Sequence, residues 1–237
     1  MATPKKIEAI VTKRQIIDNR VMLLEMKPTK RVPNFSPGQF LHLALDKYDP
    51  SESWPESRVF SIASSPDTRQ ERISLLISKQ GKFTQRMFEE IAENKELWIK
   101  LPYGDFTLNN RLEEENIFIA GGTGISPFLS ILKSNLEDYH SIKMYFGIRS
   151  IEYFIEKSFL IHKQKIDPNF DMEIFIENNN STEYKSGVID IQYIFYKHRQ
   201  EKCNYFLSGP KKMIDTFSNY LTKQRVQEKR IIIDSWE

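Results

Sequence analysis

The run from Asn116 to Phe128, NIFIAGGTGISPF, constrains the fold of this chain more than any other stretch. Ile117 to Ala120 is a short apolar run of the length of a strand covered on both faces in a parallel sheet, and loop residues follow at once. Gly121, Gly122 and Gly124 leave no Cβ between the backbone and anything that approaches it. Ser126 suits a helix cap and Pro127 the first helical position, which predicts a helix from Phe128 to about Tyr139 with bare amides turned toward the loop. Gly122, Thr123, Gly124, Ser126 and Pro127 therefore form a candidate phosphate cradle. The dehydrogenase fingerprint would want a glycine at position 127 and an acid at the end of the next strand. Here stand Pro127 and, after Ile142 to Phe146, Gly147, Ile148 and Arg149. Alone, the motif fits a tight turn equally well.

Downstream of this run, apolar strand-length segments alternate with helical ones. Strands are predicted at Ile117 to Ala120, Ile142 to Phe146, Met172 to Glu177, Tyr205 to Ser208 and Ile231 to Asp234. Helices are predicted at Phe128 to Tyr139, Ile151 to Lys163, Val188 to Lys197 and Lys211 to Lys223. This is the pattern of a doubly wound α/β domain with a five-stranded parallel sheet. If its first and fourth strands are neighbours, Gly121 to Ser126 and Ser208-Gly209-Pro210 flank one crevice at the strand carboxyl ends.

Upstream the texture differs. Short β segments at Ala9 to Arg14, Val21 to Met26, Gln39 to Leu45, Arg58 to Ile62, Ile73 to Lys79 and Leu97 to Leu101 are punctuated by Pro33, Pro37, Gly38, Pro50 and Pro55. Six such segments predict a small antiparallel barrel. One helix interrupts them, Thr84 to Glu93 behind Gly81, with Met87, Phe88 and Ile91 on one face. The polar stretch Asn109-Asn110-Arg111 and the glutamates after it mark the boundary between residues 1–110 and 111–237.

Composition excludes several classes. At 237 residues and 40% hydrophobic the chain has enough apolar material for two small cores. A net charge of +2 with no basic patch interleaved with aromatics does not suggest nucleic acid. Residues 1–31 do hold eight Lys or Arg against three acids, which reads as solvated strand faces or as a surface for an acidic partner. Cys203 is the only cysteine, so this chain carries no disulfide framework, zinc ribbon or cysteine-ligated iron–sulfur cluster of its own. His42, His140, His162 and His198 have no ligand spacing, so no metal site is expected. No apolar leader or membrane-spanning run is evident, which makes the cytoplasm the expected compartment; a monomer is the expected state.

In order along the chain, FSPGQF (35–40), RVFSIAS (58–64), GKFT (81–84), PYGDF (102–106), GGTGISP (121–127), Gly187-Val188 and SGP (208–210) resemble the motifs of the ferredoxin-NADP reductase family of flavoenzymes. The resemblance covers nearly the whole chain. It implies an FAD-binding barrel followed by an NAD(P)-binding α/β domain, with FAD and either NADPH or NADH as cofactors. It assigns Arg58 to a flavin phosphate, Phe60 to the isoalloxazine face and Ser61 to its reactive edge. Val59, Ile77, Lys79, Gly81, Lys82, Phe83 and Thr84 complete the implied flavin site. Gly122, Thr123, Gly124, Ser126, Pro127, Arg149, Ser150, Gly209 and Pro210 form the implied nucleotide site. The chemistry of these side chains agrees: arginine offers a planar fork to phosphate, an aromatic face suits a flat ring, and a hydroxyl donates or accepts.

Two positions depart from the family pattern. Ser208 stands where a cysteine usually lies beside the nicotinamide. Asp234-Ser235-Trp236-Glu237 looks like the acid-x-aromatic ending with one residue added. That resemblance would let Trp236 cover the far flavin face and Asp234 relay a proton with Ser61, although a terminal Trp packed on the barrel fits equally. The implied activity is an NAD(P)H oxidoreductase that hands electrons to a separate ferredoxin, flavodoxin or oxygenase component. The alternatives are a flavin reductase using free flavin as a substrate and a non-turnover, redox-sensing flavin-binding subunit. Arg149 would favour a 2′-phosphate, and Glu177 would repel one unless Lys185 offsets it.

Overall fold

The computed structural model describes residues 2–108, 114–134, 139, 141–178, 182–199 and 202–234. The chain divides into two compact units. One holds the residues up to Thr107 together with the segment beginning at Ser126, and the other holds Leu108–Ile125 and most of the remainder.

The first unit is an antiparallel barrel of six strands: β1 (Lys5–Ile17), β2 (Val21–Pro28), β3 (Phe40–Ala44), β4 (Ser57–Ser61), β5 (Ile73–Ser78) and β6 (Glu96–Tyr103). Their order in the sheet is β4-β3-β6-β1-β2-β5. A bridge between Ile62 and Leu75 brings the two edge strands together, so the sheet nearly closes on itself and hides its open edges. Alternate residues point inward, as strand periodicity requires. Ile7, Val11, Met22, Leu24, Leu41, Leu43, Leu75, Ile77, Leu97 and Ile99 fill the interior. Helix α1 (Lys82–Glu90) sets Phe83 and Met87 against this core. It begins two residues before the expected Thr84, because Gly81 is its cap, and ends before Glu93, because Ile91 turns extended and buries its side chain. A single-turn 3₁₀ segment at Gly122–Ile125 runs directly into helix α2 (Ser126–Lys133). Ser126 is therefore inside a helix and buried instead of capping one, since the tighter turn already occupies the cap position. Helix α2 is tied to the barrel by Ser130 Oγ, which donates to the Ser64 carbonyl at 2.8 Å with both residues buried, and by Phe128 edge-on to Phe106.

The second unit is a parallel sheet of β7 (Glu115–Gly121), β8 (Ser141–Ile148), β9 (Phe170–Ile176), β10 (Lys185–Ser186), β11 (Cys203–Ser208) and β12 (Ile231–Ile233). It has six strands, one more than expected. The added edge strand β10 pairs through two residues only, too short and too polar to carry a strand signal in sequence. The order β10-β9-β8-β7-β11-β12 makes β7 and β11 neighbours, as the crevice required, and chain order reverses between them. Ile117, Ile119, Tyr145, Phe175 and Leu207 pack with helices α4 (Ile191–His198) and α5 (Lys211–Lys223) on one face. Helix α5 has the expected bounds. The helix expected from Ile151 is broken by Glu156 in left-handed backbone (φ 58°), which leaves a 3₁₀ turn at Ile151–Tyr153 and helix α3 at Lys157–Ile166. Helix α4 starts at Ile191, not Val188, where the Asp190 side chain accepts from the Gln192 amide.

Candidate functional site

In the barrel unit, β4 delivers Arg58 beside the start of α1. The Arg58 guanidinium carbon lies 5.1 Å from the centre of the Phe83 ring, and Phe83 is the second residue of that helix. The helix start is organised by Thr84. Its hydroxyl accepts from the Gln80 and Gly81 amides at 2.9 and 3.0 Å and donates to the Gly81 carbonyl at 3.1 Å. The first intrahelical bond runs from the Gln85 amide to the Gly81 carbonyl, so the amides of Lys82, Phe83 and Thr84 sit ahead of it, at the positive end of the helix dipole. A Cβ added at Gly81 would meet nothing within 4 Å. A forked cation, a helix amide terminus and an open approach are what a phosphate needs, so the residues here fit a flavin phosphate. Arg86, one turn further on, pairs with Asp46 and Glu90 and is already neutralised.

The other residues expected in this site divide by burial. Phe60 and Ser61 are buried, in register with Leu41 and Phe40 of β3. Val59 is half-buried and Lys82 exposed. Lys79 is exposed and reaches over the Phe88 ring. Ile77 is fully buried in the barrel interior, so its side chain serves the core and only its backbone is left for a ligand. Arg58 itself is half-exposed and has partners that sequence reading missed. Its Nη2 is 2.9 Å from Glu56 Oε1, and its Nη1 donates to the Ser57 carbonyl at 2.8 Å. The signal available in sequence was only an acid two residues before the arginine.

In the α/β unit, the turns after β7 and β11 pack directly on each other. A Cβ at Gly124 would lie 2.4 Å from the Ser208 carbonyl oxygen and 2.5 Å from the Gly209 backbone. One at Gly121 would strike the Pro210 ring and Met213. These two glycines therefore let the two turns meet, and Gly122 is the one that faces open space, in left-handed backbone at φ 54°. Thr123 belongs to the same 3₁₀ turn, and Pro127 is buried in α2. Pro210 precedes α5 and accepts from the Met213 amide. Ser208 Oγ donates to Asp234 Oδ2 at 2.9 Å, with both residues buried, and the Asp234 amide donates to the Leu207 carbonyl. Ser208 and Asp234 thus act on each other within this unit, a pairing the sequence did not suggest. Trp236 lies outside the described residues.

Arg149 is exposed just beyond β8, and its carbonyl accepts from the Asn178 amide. Ser150 follows it and accepts from the Tyr153 amide. Lys185, the residue that could have offset Glu177, is held by Glu173 and the Tyr193 hydroxyl. Away from these turns, His198 is buried with Nε2 2.7 Å from the Tyr145 hydroxyl. Burial, followed by the neighbouring Lys197 and Lys143, pushes its pKa down to about 4. Among the described residues no cluster of histidines, cysteines and acids could hold a metal ion, and no helix is long and apolar enough to cross a membrane.

An antiparallel barrel with an anion-ready helix start and, as a second unit, a doubly wound sheet with its turns at the strand switch point define a two-domain nucleotide-binding class of fold. Residues 118–219 match the family model described as the oxidoreductase NAD-binding domain. The flavohemoprotein of Candida albicans is 27% identical over 191 residues, 76% of this chain and 47% of that protein. The anthranilate 1,2-dioxygenase electron transfer component of Acinetobacter baylyi is 25% identical over 232 residues, 95% of this chain and 66% of its own length. The chain thus spans about half to two thirds of the length of these curated relatives. A ferredoxin NADP+ reductase from Neisseria gonorrhoeae, solved with bound FAD and NADP, superposes with a TM-score of 0.78 over 99% of both chains at 13% identity, a likeness of fold. Residues 118–219 thus carry an oxidoreductase NAD-binding module, and the chain as a whole has the fold of that ferredoxin NADP+ reductase.

Proposed function

We propose that this chain is an NAD(P)H-dependent flavoprotein oxidoreductase that passes electrons from NAD(P)H through FAD to a separate acceptor such as a ferredoxin, flavodoxin or oxygenase component. The observation that carries the reading is the turn-on-turn packing of Gly124 against Ser208 and Gly209 at the strand switch point, the place where such a sheet takes a nucleotide. The relative from A. baylyi is by name an electron transfer component, and the Neisseria structure holds both FAD and NADP, which supports the same assignment. In this reading residues 1–110 serve the flavin and 111–237 the nicotinamide nucleotide, in a monomeric cytoplasmic protein.

When bound, the flavin would supply a two-electron acceptor able to release electrons singly. The chain's residues bind and position. Arg58 and the amides at the start of α1 neutralise the flavin phosphates. Ser61 offers a hydroxyl at the end of β4, beside the flavin ring in the family arrangement. Gly122 gives the nucleotide backbone room. Asp234 orients the Ser208 hydroxyl by accepting its proton in a hydrogen bond, so the Ser208 oxygen would offer its lone pairs as an acceptor to a bound nicotinamide.

The visible spectrum of the purified, desalted chain, before and after anaerobic addition of NADH or NADPH, tests this. A near-stoichiometric flavin spectrum that bleaches with nucleotide is the expected result. A colourless protein that bleaches only added flavin would turn the assignment to a flavin reductase. A yellow protein that no nucleotide bleaches would leave a sensing subunit.

A further inference from the structure

Resting on the reading of Arg58 as a flavin-phosphate ligand, we infer that Glu56 is a flavin-specificity residue, which lowers the affinity of the barrel for FMN relative to FAD. Glu56 Oε1 is 2.9 Å from Arg58 Nη2, and both side chains are about half-exposed. Arg58 Nη1 is engaged by the Ser57 carbonyl, so Glu56 takes a fork position on the same cation that phosphate would use. Arg86, the next cation along α1, is committed to Asp46 and Glu90 and cannot substitute. The site therefore meets an incoming phosphate with a half-neutralised guanidinium and a carboxylate beside it.

That arrangement distinguishes charge density. The flavin-side phosphate of FAD is half of a pyrophosphate, esterified on one side and bridged on the other, with one negative charge, whereas the monoester of FMN carries about 1.5 to 2 near neutral pH. Repulsion from Glu56 grows with that charge, and riboflavin, which has no phosphate, should not feel it. The pair is exposed, so the effect is modest, about two- to fivefold in relative affinity, and it should shrink in salt.

The test equilibrates the full chain with an equimolar mixture of FAD and FMN at low ionic strength. Gel filtration then removes unbound flavin, and chromatography measures the FMN:FAD ratio retained by wild type, Glu56→Gln and Arg58→Ala. Riboflavin affinity is read by fluorescence quenching. Glu56→Gln is expected to raise the FMN:FAD ratio about two- to fivefold, to leave riboflavin affinity unchanged, and to lose most of the difference in 0.5 M salt. An unchanged or lowered ratio, a ratio shift that persists in salt, or an equal change for riboflavin would overturn the role of Glu56. If Arg58→Ala retains FAD as wild type does, the flavin-phosphate reading itself fails, whatever Glu56→Gln does.

Discussion

The two units each carry an anion-ready turn, and they build it by different means. In the barrel, the turn at α1 relies on charge: Arg58 stands against Phe83, helix amides face the same place, and Thr84 holds the loop. In the α/β unit, the turns after β7 and β11 rely on shape. Gly121 and Gly124 let two backbones touch, and no cation stands among the residues of either turn. A site built from charge tolerates small shifts and responds to salt, whereas one built from close packing ignores salt and fails when a single methyl group is added.

The sharpest way to break this comparison is Gly124→Ala. Its Cβ would fall 2.4 to 2.5 Å from the Ser208 and Gly209 backbone, where no flexible side chain can yield. We expect about 3 kcal/mol or more of destabilisation and loss of nucleotide binding, read by thermal melting and by NAD(P)H titration. Gly122→Ala, with open space around it, should cost about 1–2 kcal/mol through its left-handed backbone alone. Equal losses at the two glycines would remove the packing argument.

Acid should separate the units. His198, in the α/β unit, has a folded pKa of about 4 against an unfolded value of 6.5, although Glu115 Oε1 at 3.4 Å from its other ring nitrogen pulls the opposite way. Because the unfolded chain binds the proton first, the stability contributed by this histidine is complete above pH 6.5 and is lost as pH falls toward 4, roughly 2–4 kcal/mol in all. Trp54 and Trp98 both lie in the barrel. Circular dichroism should therefore begin to change at a higher pH than tryptophan fluorescence. Coincident transitions, or an unaltered acid profile in His198→Gln, would contradict this.

Arg58→Ala should weaken flavin binding by about 1.5–3 kcal/mol, the value of a charge-assisted contact, and should flatten its salt dependence. Retained salt sensitivity would place the charge elsewhere. The smallest effect is expected at exposed Arg149, whose replacement by Ala should raise KM for NADPH by about tenfold or less and leave NADH unchanged. A parallel rise for both would mean that Arg149 does not read the 2′-phosphate.

Much of this architecture was legible in the residues. The six barrel segments show as runs of strand-favouring residues between prolines and glycines, the helix at Lys211–Lys223 has a clean amphipathic stripe, and the glycine turn between Ala120 and Phe128 announces a strand switch. Those signals are local, because strand and helix periodicity and turn chemistry act over a few residues. What escaped was set by partners far along the chain. The edge strand Lys185–Ser186 exists only because Phe175 and Ile176 lie beside it. Lys185 is spent on Glu173 and Tyr193, which no spacing rule reveals. Even the glycines were half understood: sequence announced a backbone that must approach something closely, and only the folded sheet decided that Gly121 and Gly124 approach the Ser208-Gly209-Pro210 turn while Gly122 faces outward. Ser208 and Asp234 stand 26 positions apart and meet because β11 and β12 are parallel neighbours. The sequence alone thus determined most of the elements, their order and the chemical character of each turn. Which side chains those turns share was decided by tertiary packing, because a hydrogen bond or a steric contact depends on distances that only the assembled sheet sets.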